Sequence, residues 1–402
     1  MDFLRALRIR PFALLWAGQT VSRLGDSVYR IALSWWVLEK TGSAAAMAAV
    51  AVFTLVPMLL FLFVGGLIVD RLPRFRILIA SDIVNTGVVG VVAVLAQANL
   101  LEVWHIYAAS VVFGLAEAFF YPAYTASVPQ IVTTEALPSA NALTSLTWQL
   151  SGIVGPSIGA LLVAWGGTSV AFGLDSVSFL VSAALLFPLR RIMPPAATEP
   201  RASAVADMRQ GMATVLASPW LWVSILVFAF GNVTDSGPRN VALPFLIHDH
   251  LGLDVQALGL VASALAAGSV VGAVGMGRLH RIRRRGITTY GGIAFGGLMV
   301  AGFGLARSLP VLGILSFAYG VAFSIAGLIW TQSLQEMVPP EKMGRVSSID
   351  AFGSFVLMPA GFAFAGWLTD TIGPAPVFVL GGTATIGLAF LALLHPGVRR
   401  LD

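Results

Sequence analysis

Apolar residues in this chain do not alternate with polar ones; they come in blocks. Twelve runs, at about 12–39, 44–69, 77–97, 103–121, 140–165, 170–189, 219–245, 257–277, 288–306, 310–330, 347–369 and 375–394, are nearly continuous in Leu, Val, Ala, Ile, Phe and Gly. Short polar or basic segments separate them. A run of about 20 residues crosses a hydrocarbon layer of about 30 Å as a helix, and inside that layer only a helix satisfies every backbone polar group within its own segment. The pattern predicts an all-α integral membrane protein with twelve transmembrane helices. The longest polar stretch, 190–218, contains Pro194-Pro195 and then a short amphipathic piece around Met208 to Leu216. It divides the chain into an N-terminal six-helix bundle (1–189), a cytoplasmic linker with a short surface helix (190–218) and a C-terminal six-helix bundle (219–402).

The two sets of six repeat each other. Asp26-Ser27-Val28-Tyr29-Arg30 in the first run returns as Asp235-Ser236-Gly237-Pro238-Arg239 in the seventh, and Gly42 is answered by Gly252. A duplicated membrane domain follows, the two halves pseudo-symmetric and each opening on a helix that carries a charged pair. Ionisable groups at bilayer mid-depth cost a few kcal/mol or more unless they face a protein interior or a watery cavity, so these pairs read as functional. The plainer reading, an ion pair that only locks helices together, is weakened because the pattern is written twice.

Composition narrows the class. The chain is 57% hydrophobic and 11% charged, and it has no cysteine, which excludes disulfides, thiol catalysis and Cys-ligated metals. Five scattered His without a His-Glu-x-x-His pattern give no metal site, and His248-Asp249-His250 reads as a solvated loop. No cofactor is expected. The formal charge of +5 belongs to topology rather than to nucleic acid: with the N-terminus inside, nineteen of the 24 Lys and Arg fall on cytoplasmic segments and only Lys40 and Arg307 outside. Both termini are therefore expected in the cytoplasm, of a multi-pass protein in the plasma membrane. Residues 1–10 read as a basic lead into the first span, not a cleavable signal.

Five stretches carry a resemblance. Gly66-Leu-Ile-Val-Asp70-Arg71-Leu-Pro73-Arg74 resembles the loop signature of the major facilitator superfamily, with Pro73 where glycine is usual. Gly152-Ile-Val-Gly155-Pro156-Ser-Ile-Gly159 resembles the glycine-proline motif of that superfamily's drug/proton antiporters. Leu24-Gly25-Asp26, Glu117 to Pro122 and Phe172-x-Leu174-Asp175-x-x-Ser178-Phe179 look like the macrolide-efflux and enterobactin-exporter branch. The resemblance implies the twelve-helix facilitator fold with a central cavity between two bundles. It also implies a cytoplasmic latch of Gly66, Asp70, Arg71 and Arg74, whose Asp caps the eleventh helix near Ser347 to Asp350. Gly152, Gly155, Pro156 and Gly159 would form a bending interface, with Gly268, Gly272, Gly275 and Gly277 of the eighth span as the facing surface. The arginine that many drug antiporters carry in the fourth span is absent here.

The function expected is proton-coupled efflux of amphipathic, drug- or macrolide-like molecules by alternating access. Asp26, Arg30, Glu117, Asn232, Asp235, Arg239 and Gln332 are the candidate substrate and proton pathway. Glu117 has no Lys or Arg in its own span, which makes it the expected proton carrier, whereas Asp26 and Asp235 have arginines beside them. Counting Arg23, Arg30 and Arg239 against Asp26, Glu117 and Asp235, the buried charges sum to zero. The partners expected are a small-molecule substrate, protons and the bilayer, with no nucleic acid, and the protein is expected to be a monomer. A dedicated exporter or importer of one metabolite such as a siderophore stays open, and more remotely an intramembrane enzyme or a lipid scramblase. Paired arginines argue against an Asp26–Asp235 catalytic dyad, which needs one protonated member.

Overall fold

A computed structural model describes residues 4–69, 72–192, 204–277 and 284–401. Asp70, Arg71 and the Pro194-Pro195 part of the linker lie outside these residues. The first four long helices are α1 (Arg10–Thr41), α2 (Ala44–Val69), α3 (Arg74–Gln97) and α4 (Val103–Ile131). Leu137–Leu186 is broken at Gly167, whose φ of 77° and ψ of 174° turn the chain, into α5 (137–166) and α6 (168–186). The short α7 (Ala204–Ala217) bends by 101° into α8, which starts as Pro219–Gly231 and runs to His250. Then follow α9 (Val255–Gly277), α10 (Arg285–Leu305), α11 (Leu309–Met337), α12 (Pro340–Phe355), α13 (Met358–Ile372), α14 (Pro374–Leu394) and α15 (Pro396–Arg399). The described residues contain no strand. With α12 and α13 as one span and α5 and α6 as two, they supply the twelve crossings that the hydropathy pattern predicts.

Several helices outrun their apolar blocks. The fourth block ends near 121 but α4 continues to Ile131, and the tenth ends near 330 but α11 continues to Met337. At about 1.5 Å per residue a helix of 29 residues is some 43 Å long, so its last turns reach the headgroup zone, where polar side chains carry no penalty and hydropathy no longer marks the helix. The eleventh span shifts at its start instead. It begins at Pro340, so Ser347 to Asp350 lie inside α12 and are not the N-terminus that an Asp70 latch would cap.

The chain separates into two compact units, 1–198 with 254–263, and 199–253 with 264–402. In the first, Phe12, Leu15, Phe75, Leu78, Phe120, Leu143 and Leu186 build a core that draws together α1, α3, α4, α5 and α6. In the second, Leu221, Ile225, Leu334 and Val346 make one core and Val223, Val227, Tyr290, Ala389 and Ala392 another. The described part of the linker, α7, docks on α12: a Cβ on Gly211 would lie 2.8 Å from Ile349, and Arg345 donates to Gln210. Large apolar side chains such as Leu60, Val94, Trp165, Leu305 and Leu394 point outward, as they do where the solvent is lipid.

The repeat is written into the backbone. Gly42 (φ 59°) and Gly252 (φ 65°) occupy the left-handed region at equivalent helix ends, each donating its N–H to the carbonyl four residues back. Gly167 (φ 77°, ψ 174°) and Gly373 (φ 84°, ψ 164°) make matching corners before α6 and α14.

Candidate functional site

Each unit holds a charged constellation on its first long helix, and close helix packing puts it there. Gly25 of α1 has no room for a side chain: a Cβ would lie 2.1 Å from Ser178 Oγ and 2.5 Å from Asp175 Oδ1 of α6. On α5, a Cβ at Gly155 would meet Ser27 at 2.3 Å, and one at Gly159 would meet Val28 Cα at 2.9 Å. The glycine-proline stretch thus lays α5 directly against the charged part of α1. Its other side meets the start of α9, where a Cβ on Gly259 would lie 2.7 Å from the Pro156 carbonyl and Ser263 hydrogen-bonds Ser157 at 2.8 Å. Gly268 and Gly272, expected on that surface, instead lie against Phe317 and Val321 of α11.

In the first unit Arg23 is the hub. Its Nη1 donates to Asp26 Oδ2 at 3.3 Å, its Nη2 lies 3.9 Å from Glu117 Oε1, and its guanidinium stacks on Trp148 at 4.1 Å from the ring centre. The cation that the fourth span lacks is supplied to Glu117 from α1. Trp148 of α5 is the plate on which Arg23 rests. Arg30 is exposed, donates to Ser27 Oγ at 3.0 Å and makes no ion pair among the described residues. The repeat explains this: Arg23 sits three residues before Asp26 and takes it, whereas the equivalent position before Asp235 is Asn232, which takes nothing from it.

Two buried acids escaped the charge count. Asp175 of α6 is 0% exposed and accepts from Ser178 Oγ at 3.2 Å, leaving Oδ2 unbonded. Asp82 of α3 is 1% exposed and keeps Oδ2 unbonded. Ser182 of α6 receives Gln19 Nε2 at 3.2 Å, which joins α6 to α1. Both acids break apolar runs, the same signal that marked Asp26.

In the second unit the Asp-x-x-x-Arg pair forms as its spacing predicts. Arg239 Nε and Nη2 donate to Asp235 Oδ1 and Oδ2 at 3.2 and 2.8 Å, Tyr319 Oη donates to Asp235 Oδ2 at 2.6 Å, and Arg239 stacks over the Tyr319 ring at 4.4 Å. The α8 backbone here widens into π turns at Asn232–Ser236, Pro238–Ala242 and Leu246–His250. Pro238 and Pro244 have no N–H for the carbonyl four residues back, and the wider turn accommodates the loss. Asn232 and Asp235 line a cavity of about 360 Å³ among α8, α10, α11, α12 and α14. Gln332 does not join them; it is exposed and donates to Glu336, which Arg285 also holds.

Of the latch residues, Gly66 lies within α2 and Asp70 and Arg71 fall outside the described residues. Arg74 opens α3 and donates to the Ala126 carbonyl at 2.9 Å and to Gln130 Oε1 at 3.3 Å, which sets a cation beside the last two turns of α4.

The sequence model of the Major Facilitator Superfamily matches residues 15–362. The chain belongs to this superfamily. Among facilitator relatives, macrolide efflux protein A of Streptococcus pyogenes is 25% identical over 401 residues, covering 97% of both chains. The enterobactin exporter EntS of Shigella boydii is 27% identical over 341 residues, covering 83% of this chain and 79% of that one. A crystal structure of a bacterial homologue of the iron transporter ferroportin, in an inward-facing state, superposes with a TM-score of 0.72 at 15% identity over 95% of this chain and 98% of that one, which establishes the fold. This facilitator chain is therefore a multi-pass membrane transporter of a small molecule, with efflux pumps among its relatives.

Proposed function

We propose that the protein exports amphipathic small molecules across the plasma membrane by alternating access, driven by inward proton flow, as a monomer with both termini in the cytoplasm. The observation that carries this reading is Arg23 set between Asp26 and Glu117. One guanidinium cannot balance two carboxylates, and with Asp82 and Asp175 the spans of the first unit hold four acids against Arg23 and Arg30. Neutrality of the buried set takes protons, and their arrival and departure changes the charge a substrate meets. Of the two carboxylates on Arg23, Asp26 is hydrogen-bonded and Glu117 stands off at 3.9 Å, so Glu117 is the one that exchanges its proton. Asp235, held by Arg239 and Tyr319, is a structural pair in the second unit. Gly152, Gly155, Pro156 and Gly159 serve as the surface on which α5 bends, and Asp70 with Arg71 and Arg74 as a cytoplasmic latch.

The relatives named for macrolide and enterobactin efflux support the direction of transport and the substrate class. The test is accumulation of radiolabelled erythromycin in cells expressing the protein, with and without a protonophore. Export predicts lower accumulation than in cells lacking the protein, and loss of that difference on adding protonophore. Equal accumulation in both cell types, or a difference that the protonophore leaves intact, overturns the proposal.

A further inference from the structure

The cavity of the second unit holds an acid that neither the ion pairs nor the proposed proton path use. Asp350 of α12 lines it and accepts Trp330 Nε1 at 3.1 Å on Oδ2, with Ser354 Oγ at 3.5 Å from Oδ1. Among the described residues no Lys or Arg comes within ion-pair distance of it. Asp235, also in the lining, is held by Arg239 and Tyr319. The cavity therefore presents one carboxylate with capacity for a cation.

Its walls suit an organic cation rather than a hydrated ion. The Trp330 ring is fixed edge-on against Phe228 (4.8 Å between centres, 84° between planes) and against Trp220 (5.6 Å, 67°), while Tyr319 and Phe323 stack at 5.8 Å. Five aromatic side chains, Phe228, Tyr319, Phe323, Trp330 and Phe355, line a space of about 360 Å³, a volume ordinary for a small-molecule site. Gly231 and Gly327 line it with nothing within 4 Å of where a Cβ would stand, so the space is open at both helices. Rigid aromatic faces beside an uncompensated carboxylate are the elements that recognise alkylated or aryl-substituted cations.

We propose that this cavity, inside the C-terminal unit, binds the charged end of cationic amphiphiles, with Asp350 as the counter-ion and Trp330 and Phe228 as the aromatic wall. This deepens the export reading by naming a substrate charge, and it is tested by binding alone.

The probe is tritiated tetraphenylphosphonium, in equilibrium binding to the purified full chain in detergent. Triphenylphosphine oxide, added as unlabelled competitor, serves as the neutral analogue. Removing one partner of a desolvated charge pair is a multi-kcal/mol change, so Asp350→Asn weakens tetraphenylphosphonium binding by about tenfold or more and the neutral competitor by less than about threefold. Asp350→Glu keeps binding within about threefold, and Gly327→Phe, which fills open space without touching the acid, abolishes it. Because the chain has no cysteine, a single cysteine at Thr331 on the cavity wall reports occupancy: the cation slows its alkylation. Unchanged affinity in Asp350→Asn and Gly327→Phe, equal loss of both ligands, or no protection at position 331 overturns the site. A wild type that exports erythromycin but fails these binding tests loses this proposal and keeps the export reading. One that passes them but exports nothing does the reverse.

Discussion

Tyr319 does three things for one ion pair: it donates a 2.6 Å hydrogen bond to Asp235, lies under the Arg239 guanidinium, and walls the cavity beside them. Removing only its hydroxyl leaves the bidentate pair intact. Tyr319→Phe is expected to cost about 1–2 kcal/mol, while Asp235→Asn, which strands a buried guanidinium, costs about 3–5 kcal/mol. Thermal unfolding of the two variants in detergent checks the order, and a Tyr319→Phe loss as large as that of Asp235→Asn contradicts it. At this scale the charges themselves were legible, because an ionisable group in an apolar run is conspicuous. Their partners were not. Spacing along one helix proposes Asp235–Arg239 correctly, but it cannot foresee that Arg23 takes Asp26 from Arg30 or reaches Glu117 across to α4, since those contacts depend on how helices are rotated. Asp82 and Asp175 carried the same signal as Asp26 but were not counted among the site residues.

Helices in this protein meet through glycine. A Cβ at Gly381 of α14 would lie 2.3 Å from the Thr234 carbonyl of α8, whereas Gly387, two turns on, has nothing within 4 Å. Gly381→Ala is therefore expected to lower stability by about 1–3 kcal/mol through overpacking beside the widened turns of α8. Gly387→Ala should be neutral or stabilising by up to about 1 kcal/mol, as alanine is the better helix former. Melting temperatures of the two single variants separate the cases, and equal effects would mean the close approach is not maintained in solution. Element existence was legible throughout, since apolar block length fixes a transmembrane helix. Element ends were not, because α4, α11 and α12 continue into polar sequence where hydropathy gives no signal. The corner at Gly167 and its counterpart at Gly373 are invisible to hydropathy for a related reason: a single glycine in an apolar run reads the same whether it kinks, packs or turns.

For the whole molecule, the distribution of basic residues sets an orientation that single cysteines test directly. Cysteines at Leu100 and Asp254 should react with an impermeant maleimide added outside intact cells, and cysteines at Arg191 and Arg284 should react only after permeabilisation. The opposite pattern would invert the topology. The duplication was legible from two copies of one charged pentapeptide, and the backbone carries it further in the paired glycines. The halves differ at the position three before the repeated Asp, Arg23 against Asn232: the first unit has a shared cation there and the second a closed ion pair. The central claim is that this shared cation couples transport to protons through Glu117. It is tested most directly by reconstituting wild type and Glu117→Gln in liposomes with an internal pH dye and recording proton movement when erythromycin is added. Wild type should show substrate-dependent proton flux, and Glu117→Gln should bind erythromycin within about threefold of wild type yet move no protons. Undiminished proton flux in Glu117→Gln, with the flux lost instead in folded Asp26→Asn, would contradict the assignment and make Asp26 the proton site.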